Sequence, residues 1–250
     1  MFSIAPKMLM LIKLEMMKRI TYVCVCLFLW IGTHVQAQEY NASLFGCKSD
    51  GVTNNTGSIQ YAIDFMAAKG GGTLHFYVGR YLTGSVELKS NVTLELHEGA
   101  VLLASPNVYD YVDYSGNRAL IYANGQSDIR IRGKGVIQGQ VLADTKYTEN
   151  LPLPDLIRIE DSKRVTVDGI MLRNGLRSAQ SYAGCEQLFL SDQIIQSHVR
   201  ENSAGIFLTA CSEVELCSLY VDVSGKALQE TGKNDIRLQE NCVTAEGKKL

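Results

Sequence analysis

The sequence predicts an all-β fold in which short strands wind around one axis as stacked coils, with a helix before the first full coil. Its short apolar strands are separated by corners of Asn, Asp and Gly rather than by hairpin turns. Four equivalent strands later in the chain begin 23, 26 and 22 residues apart, and a repeat of ~20 to 50 residues is typical of stacked architectures. No helical pattern follows Lys69.

The helix is predicted between a polar cap region at 54–56 and a glycine corner at 70–72. Apolar residues recur at helical spacing between these limits: Ile59, Ala62, Ile63 and Met66. The glycines end the helix because they adopt backbone angles that other residues avoid.

Short strands follow the helix and recur along the chain. In the first coils they are predicted at 73–76, 86–88 and 92–96. Two polar excursions, at 106–117 and 144–153, flank a further coil at 128–139. From Pro154 the coils become regular, with equivalent strands at 165–167, 188–190, 214–216 and 236–238. The alternative, an antiparallel sandwich, would need a turn every ~8 to 12 residues.

Several short motifs carry a resemblance to a known family. They are Phe45-Gly46, Asp50 to Thr53, Thr56, Ala62-Ile63, Gly70 to Thr73, Gly79, Tyr81 to Gly84 and Leu88 to Leu94. They resemble the first coils of glycoside hydrolase family 28, the polygalacturonases, although Tyr77-Val78 replaces the usual proline. The resemblance implies a single-stranded right-handed parallel β-helix (pectin lyase-like) with an N-terminal helical cap. It also implies a role in the degradation of pectic polysaccharide.

The resemblance implies an inverting glycosidase mechanism, in which one carboxylic acid protonates the leaving oxygen and opposite carboxylates activate water. The family's aspartate motifs align with 202–208 and 214–228, where the apolar frame agrees. The three aspartate positions, however, hold Ala204, Gly225 and Lys226, and the later His-Gly and Arg-x-Lys motifs have no counterpart. Because a positioned acid or base is worth ~10²–10⁴ in rate, we expect catalytic impairment.

Two glutamates are the remaining catalytic candidates: Glu201, next to the expected cleft, and Glu230, beyond Lys226. The aspartates at 168, 192 and 222 lie in strand corners, where aspartate commonly forms turns. His198 lies in a polar corner and is interpreted as an exposed residue.

Four residues are the candidates for substrate binding: Asn202, Lys226, Arg177 and Gln229. Such side chains can hydrogen-bond sugar hydroxyls or carboxylates, although an ordinary polar surface is an equally good interpretation. The expected partner is an acidic plant-type polysaccharide: pectin, galacturonan or rhamnogalacturonan. Competing hypotheses are an active hydrolase with non-standard carboxylates, a non-catalytic carbohydrate-binding β-helix, and a fragment of a longer hydrolase.

Composition excludes several other classes of protein. A formal net charge of −2 over 250 residues argues against a basic nucleic-acid-binding protein. The chain has no phosphate loop, dinucleotide fingerprint, HExxH motif or calcium loop. We therefore expect no cofactor, no metal site and no nucleic-acid partner, and a monomer.

The start of the chain is typical of a signal peptide at 17–37. Basic Lys18-Arg19 precedes an apolar stretch at 20–32 and a small-residue cleavage site at 35–37. Residues 1–16 would then be an upstream extension, and 38–250 the β-helix domain, with its cap at 44–72 and coils at 73–250. The apolar run is shorter than the ~20 residues of a membrane-spanning helix. We expect export to the periplasm, cell surface or medium, and by resemblance a domain truncated at its C-terminus.

Five cysteines follow the predicted cleavage site: Cys47, Cys185, Cys211, Cys217 and Cys242. Their spacing is not that of a zinc site. Three of them fall at apolar positions of predicted coils: Cys185, Cys211 and Cys217. Free cysteine is a common small core residue, so we expect stacked core thiols, with a disulfide as the alternative.

Overall fold

Strands from successive turns of the chain pair with each other in parallel, and this pairing builds the whole domain. The structure is a computed structural model that describes residues 15–19, 38–141, 152–239 and 241–250. Residues 20–37 of the predicted signal peptide and most of the second polar excursion lie outside the described residues. The chain divides into two compact units, Met1–Gln36 and Ala37–Leu250. In the first unit, residues 15–19 are helical.

The strands of the second unit form three columns, and each column stacks equivalent strands of successive coils. Column 1 consists of β1 (Glu39–Asn41), β3 (Gly72–Phe76), β6 (Val92–Leu96), β9 (Ser127–Gly133), β12 (Lys163–Asp168), the first halves of β15 (Glu186–Ser197) and β17 (Ser212–Val223), and β19 (Ile236–Leu238). Column 2 consists of β2 (Asp50–Asn54), β4 (Gly79–Thr83), β7 (Ala100–Ala104), β10 (Val136–Gln138), β13 (Met171–Arg173), the second halves of β15 and β17, and β20 (Val243–Thr244).

Column 3 forms a separate sheet. It consists of β5 (Val86–Glu87), β8 (Ala119–Asn124), β11 (Asp155–Glu160), β14 (Ser178–Ala183), β16 (Ala204–Thr209) and β18 (Leu228–Thr231). The predicted right-handed parallel β-helix is confirmed. Two short 3-10 helices, Ala42–Phe45 and Val108–Asp110, lie outside the columns.

Aliphatic side chains stack along the interior of column 1. The register aligns five fully buried residues from successive coils: Leu94, Ile131, Val167, Leu190 and Leu216. Strands in one sheet lie ~4.8 Å apart, so each side chain contacts the equivalent residues of the coils on either side. Full burial of such a side chain is worth about 1.5–3 kcal/mol. No coil can obtain this burial alone.

The predicted helix, α1, runs from Thr56 to Ala68 and buries its four predicted apolar residues completely. It ends before the predicted glycine corner, where Gly70 and Gly71 take positive φ angles of 93° and 122°. The N–H groups of both glycines donate to carbonyl oxygens of the last helical turn. The Gln60 side chain exchanges hydrogen bonds with the backbone of Glu87 at 2.8 and 3.1 Å, which ties α1 to β5.

Asn55 precedes α1 but does not cap it with its side chain. That side chain is 1% exposed and bonds to the backbone of Lys48, Thr53 and Leu82. Its neighbour Asn54 accepts the Thr56 N–H at 2.9 Å instead. The predicted polar cap region is present, and its second asparagine holds the loop before the helix in place.

The prediction of short separate strands at 188–190 and 214–216 was incomplete. Each belongs to a strand of 12 residues, β15 or β17, that passes from column 1 into column 2. Where each strand passes from column 1 to column 2, one residue has a left-handed conformation: Asp192 at φ 50° and Ser218 at φ 54°. A single residue in this region redirects a strand locally, and aspartate tolerates it better than most residues.

The cysteine prediction was correct for two of its three core positions. Cys185 and Cys211 are buried free thiols in successive coils, whereas Cys217 is partly exposed and donates to Gln239 Oε1 at 3.0 Å. The hydrogen bond with Cys185 lowers the pKa of Cys211, and the same bond together with burial raises the pKa of Cys185. Cys217 lies on the outer face because it follows the buried Leu216 in β17, and side chains alternate between the two faces of a strand.

Gly133 tests how closely the coils approach each other. It has a φ of 121°, and a Cβ there would lie 2.1 Å from the Leu96 carbonyl oxygen of the previous coil. We expect Gly133→Ala to lower the free energy of unfolding by about 2–4 kcal/mol, through backbone strain and overpacking. Urea unfolding measures this change.

Gly57→Ala is the matched control, because a Cβ at Gly57 meets nothing within 4 Å and the residue lies in α1. It should raise the free energy of unfolding by about 0.5–1 kcal/mol, since alanine favours the helix. Equal unfolding midpoints for the two variants would contradict this account of coil spacing.

Candidate functional site

Loops of successive coils meet at the start of column 3 and enclose an open cavity of ≈ 670 Å³. The loop between β15 and β16 supplies most of its wall. The lining residues are Leu153, Leu176, Arg177, His198, Val199, Arg200, Glu201, Asn202 and Ser224. The cavity therefore contains three of the residues predicted as site candidates, Arg177, Glu201 and Asn202, together with His198.

A buried serine pair fixes the loop between β15 and β16. Ser197 and Ser203 lie at its two ends, with their hydroxyl oxygens 2.8 Å apart. Both hydroxyls contact the carbonyl oxygen of Gly175 in the previous coil, at 2.7 and 2.8 Å. On the other side, the Ser224 N–H donates to the Ser197 carbonyl at 3.1 Å. Three consecutive loops are thus held in a stack.

Arg177 is anchored by an acid that the sequence analysis missed. Its guanidinium donates through two nitrogens to the carboxylate of Asp155, with Nε at 2.9 Å from Oδ1, and Nη1 donates to Asn117 Oδ1 at 3.0 Å. The Asp155 side chain is 0% exposed and the Arg177 side chain 34% exposed. Hydrogen bonding to Asp155 raises the pKa of Arg177. Arg177 therefore has a structural partner on one side and faces the cavity on the other.

His198 is exposed, as the sequence predicted, and its Nε2 lies 2.8 Å from Asp222 Oδ1 of the next coil. Arg200 was not predicted as a site residue, yet it lines the cavity and its side chain is exposed. Arg200 directly precedes the predicted site residues Glu201 and Asn202 in the sequence, and this position could have indicated its role. Among its described residues, the cavity wall consequently carries two arginines and a histidine against one exposed glutamate.

The three positions that the family motifs assign to aspartates lie beside this cavity. Ala204 begins β16 and is 6% exposed. Gly205 donates its N–H to the Lys226 carbonyl at 3.0 Å, so the strand starts of the two coils are adjacent. The Lys226 side chain is exposed, with no hydrogen bond or ion pair to the described residues around it. Lys226 thus places a cation where the resemblance implied a carboxylate, two residues beyond Ser224 of the cavity lining.

Gly225, the third of these positions, has no room for a side chain. A Cβ there would lie 2.7 Å from the Ser203 carbonyl oxygen and 3.0 Å from the Asn202 carbonyl carbon. The Gly225 N–H donates to that same Ser203 oxygen at 3.1 Å. A carboxylate at this position would require the two loops to separate.

The structure does not bring Glu201 and Glu230 together. Glu201 lies in the loop before β16, whereas Glu230 pairs with Leu208 near the end of that strand. Four residues of strand, from Ala204 to Leu208, span about 13 Å, and inverting carboxylates are ~6.5–9.5 Å apart. Glu230 is itself exposed, and its carboxylate accepts from Asn234 at 3.3 Å.

Gln229 belongs to β18, like Glu230, and lies on the outer side of that strand, as predicted. Its register partner is Phe207, and both belong to the outward face of column 3. It is exposed but is not among the residues that line the cavity.

Comparisons with known proteins decide the family. The profile of glycosyl hydrolases family 28 matches residues 73–244. The chain belongs to glycosyl hydrolases family 28. An exo-poly-alpha-D-galacturonosidase from Dickeya chrysanthemi is 35% identical over 159 residues, which are 56% of this chain and 26% of that protein. The chain therefore spans about a quarter of the length of this curated family 28 relative.

Solved structures agree with the family 28 assignment. A crystal structure from Parabacteroides merdae, provisionally described as a glycosyl hydrolase, is 36% identical with a TM-score of 0.79, covering 85% of this chain and 100% of that one. A family 28 exopolygalacturonase from Yersinia enterocolitica has a TM-score of 0.70 at 23% identity, covering 80% of this chain and 48% of that chain. The second likeness supports the fold.

The Asp155–Arg177 pair should matter more for stability than an exposed ion pair does. Asp155→Asn leaves the half-buried Arg177 guanidinium without its anionic partner, and breaking a buried pair typically costs about 3 kcal/mol or more. We expect a loss of about 3 kcal/mol in the free energy of unfolding, measured with urea.

Lys163→Gln is the control, since Lys163 and Glu186 form an ion pair at 2.6 Å with both side chains largely exposed. Its effect should stay within about 1 kcal/mol. A comparable loss in both variants would refute a special role for Asp155.

Proposed function

We propose that this family 28 protein is exported and binds acidic pectic polysaccharide in the cavity at the start of column 3, without hydrolysing it by the family's carboxylate mechanism. The observation that carries the proposal is the chemistry of the cavity rim. Lys226 stands at an aspartate position, and Gly225 leaves no space for a carboxylate. The relative from Dickeya chrysanthemi is named for cleavage of polygalacturonate, which supports an anionic sugar polymer as the ligand.

The charges around the cavity favour a uronate over a neutral sugar. Arg200 presents a guanidinium, and Arg177 is oriented by Asp155. Arginine binds carboxylates through paired N–H donors, and such charge-assisted bonds are stronger than neutral ones. Asn202 can bond to sugar hydroxyls beside them. Lys226 adds a mobile positive charge on the same side.

Among the residues that the structure describes, the same rim lacks the pair of carboxyl groups that hydrolysis needs. Glu201 is the carboxylate that lines the cavity among the described residues, whereas Glu230 does not line it and pairs with Leu208 near the end of β16. A general acid requires a second group to activate water on the opposite face of the sugar. Loss of both roles corresponds to ~10⁴-fold or more in rate.

Export is the second part of the proposal. The described residues include no helix long and apolar enough to cross a membrane. With 17–37 removed as a signal peptide, the mature chain would begin at Gln38. N-terminal sequencing of the protein recovered outside the cytoplasm tests this, and an intact stretch at 17–37 would refute it.

Hydrolysis is tested by the release of reducing ends from polygalacturonate and rhamnogalacturonan. We expect no release above background from the purified chain, and no difference between this chain and Glu201→Gln, because a single carboxylate cannot supply both acid and base. An exo-poly-galacturonosidase serves as the positive control. Release that Glu201→Gln or Glu230→Gln abolishes would show an active hydrolase with a non-standard carboxylate set.

Binding is tested by calorimetric titration with oligogalacturonate. Arg200→Ala should weaken binding by about 10-fold or more, since a hydrogen bond to a charged group contributes ~1.5–3 kcal/mol. Affinity should also fall as salt is raised.

Arg130→Ala provides the matched control. Arg130 is an exposed arginine of β9 on the outer face of column 1 and does not line the cavity. The control variant should bind as the parent does. Equal weakening in the two variants would mean that net charge, and not the cavity, attracts the polymer.

A further inference from the structure

A second cluster of polar side chains lies on the outer face of column 1, in the first coils. His75 of β3 and Glu95 of β6 are register partners, and each stands between inward-facing residues of its strand. His97 follows β6, where its N–H donates to the Phe76 carbonyl at 2.9 Å. One donor atom from each of these three side chains lies within 4.8 Å of the others.

The two imidazole rings are held in position by stacking. His97 stacks on Tyr77 with ring centroids 4.5 Å apart and planes 9° from parallel. His75 lies 5.1 Å from His97 at 25°. This arrangement points His75 Nδ1 and His97 Nε2 at each other, 2.8 Å apart.

Glu39 determines where the protons are. His75 Nε2 contacts Glu39 Oε2, and a carboxylate only accepts hydrogen bonds. His75 therefore carries its proton on Nε2, so that its Nδ1 has a lone pair and accepts a hydrogen bond from the Nε2–H of His97. A histidine whose second nitrogen donates to a carboxylate is the usual arrangement around protein-bound metals, because it fixes the tautomer and raises the basicity of the ligand nitrogen.

We propose that His75 Nδ1, His97 Nε2 and a Glu95 carboxylate oxygen bind a divalent transition metal of the zinc class. Binding would release to solvent the proton that His97 Nε2 shares with His75. The two nitrogens must move from 2.8 Å to about 3.3 Å apart, the separation of two ligands at ~2.05 Å in a tetrahedral site. Imidazole nitrogen disfavours calcium and magnesium, which prefer oxygen.

Glu95 can take part without losing its present contact. Its Oε2 accepts from Arg132 Nε at 2.8 Å, which orients the carboxylate and leaves Oε1 for the metal. The His75 and Glu95 side chains are 13% and 21% exposed, so the site is shielded but reachable. No short metal motif in the sequence signals this site, because its ligands come from two coils and only the strand register brings them together.

A metal at this position would join β3 to β6 and so reinforce the contact between the first coils. Calorimetric titration of the chelator-treated chain with ZnCl₂ should show one site per chain. Zinc at 100 times the dissociation constant should raise the unfolding temperature by about 5–10 °C. An absence of binding would overturn the proposal.

Three variants separate ligation from packing. His97→Phe keeps an aromatic ring over Tyr77 but removes the nitrogen, so it should abolish the zinc response. Glu95→Gln should weaken zinc binding by about 10-fold or more, whereas Glu98→Gln, an exposed neighbour, should not. An unchanged zinc response in both His97→Phe and Glu95→Gln would overturn the proposal.

Cobalt(II) in place of zinc reports the identity of the ligands. Nitrogen and oxygen ligation gives visible ligand-field bands alone, which is the expected result. A thiolate-to-metal charge-transfer band would assign the metal to one of the free cysteines and would refute the site.

Discussion

Backbone pairing between successive coils is the constraint on which the rest of this structure depends. Each coil presents unpaired N–H and C=O groups and inward apolar side chains, and only the coils above and below can satisfy both. The stacked aliphatic side chains of column 1, from Leu94 to Leu216, show how neighbouring coils bury each other's apolar residues. A polar residue that enters the interior must also find a hydrogen-bond partner there. Gln180 does so by donating to Gln193 and accepting from Tyr182, each at 2.8 Å.

The same constraint means that the position of the loops does not depend on the exposed side chains that could bind a ligand. Strand register and the serine contacts to the Gly175 carbonyl fix the loops at the start of column 3, whatever their exposed side chains are. Exposed positions such as Asn202 and Lys226 can therefore change without loss of the fold. This explains how a chain can match the family 28 profile over most of its length and still carry an alanine, a glycine and a lysine where the family motifs have aspartates.

The sequence predicts the parts of the fold in which the hydrophobic pattern is local. The four buried residues of α1 and the alternating strands of column 1 repeat within a few positions, and both were predicted correctly. Column 3 is harder to predict from the sequence, because its strands do not all have an apolar pattern. Strand β14, for example, has the sequence SAQSYA and buries the polar Gln180 and Ser181. Whether such a strand can be buried depends on Gln193, which is 13 residues away in the chain. Asp155 and the histidine cluster escape prediction for the same reason, because their partners belong to other coils.

Gly225 shows that the three changed aspartate positions are not independent of one another. The Ser203 carbonyl accepts the Gly225 N–H and occupies the space next to its Cα. That carbonyl belongs to the residue before Ala204, and the next strand residue, Gly205, bonds to the Lys226 carbonyl. Close packing of the two loops thus links all three positions through backbone contacts. A carboxylate at 225 would push the loops apart and disturb 204 and 226 together. The proposed loss of catalysis is for this reason a property of how the loops pack, and not only of which side chains they carry.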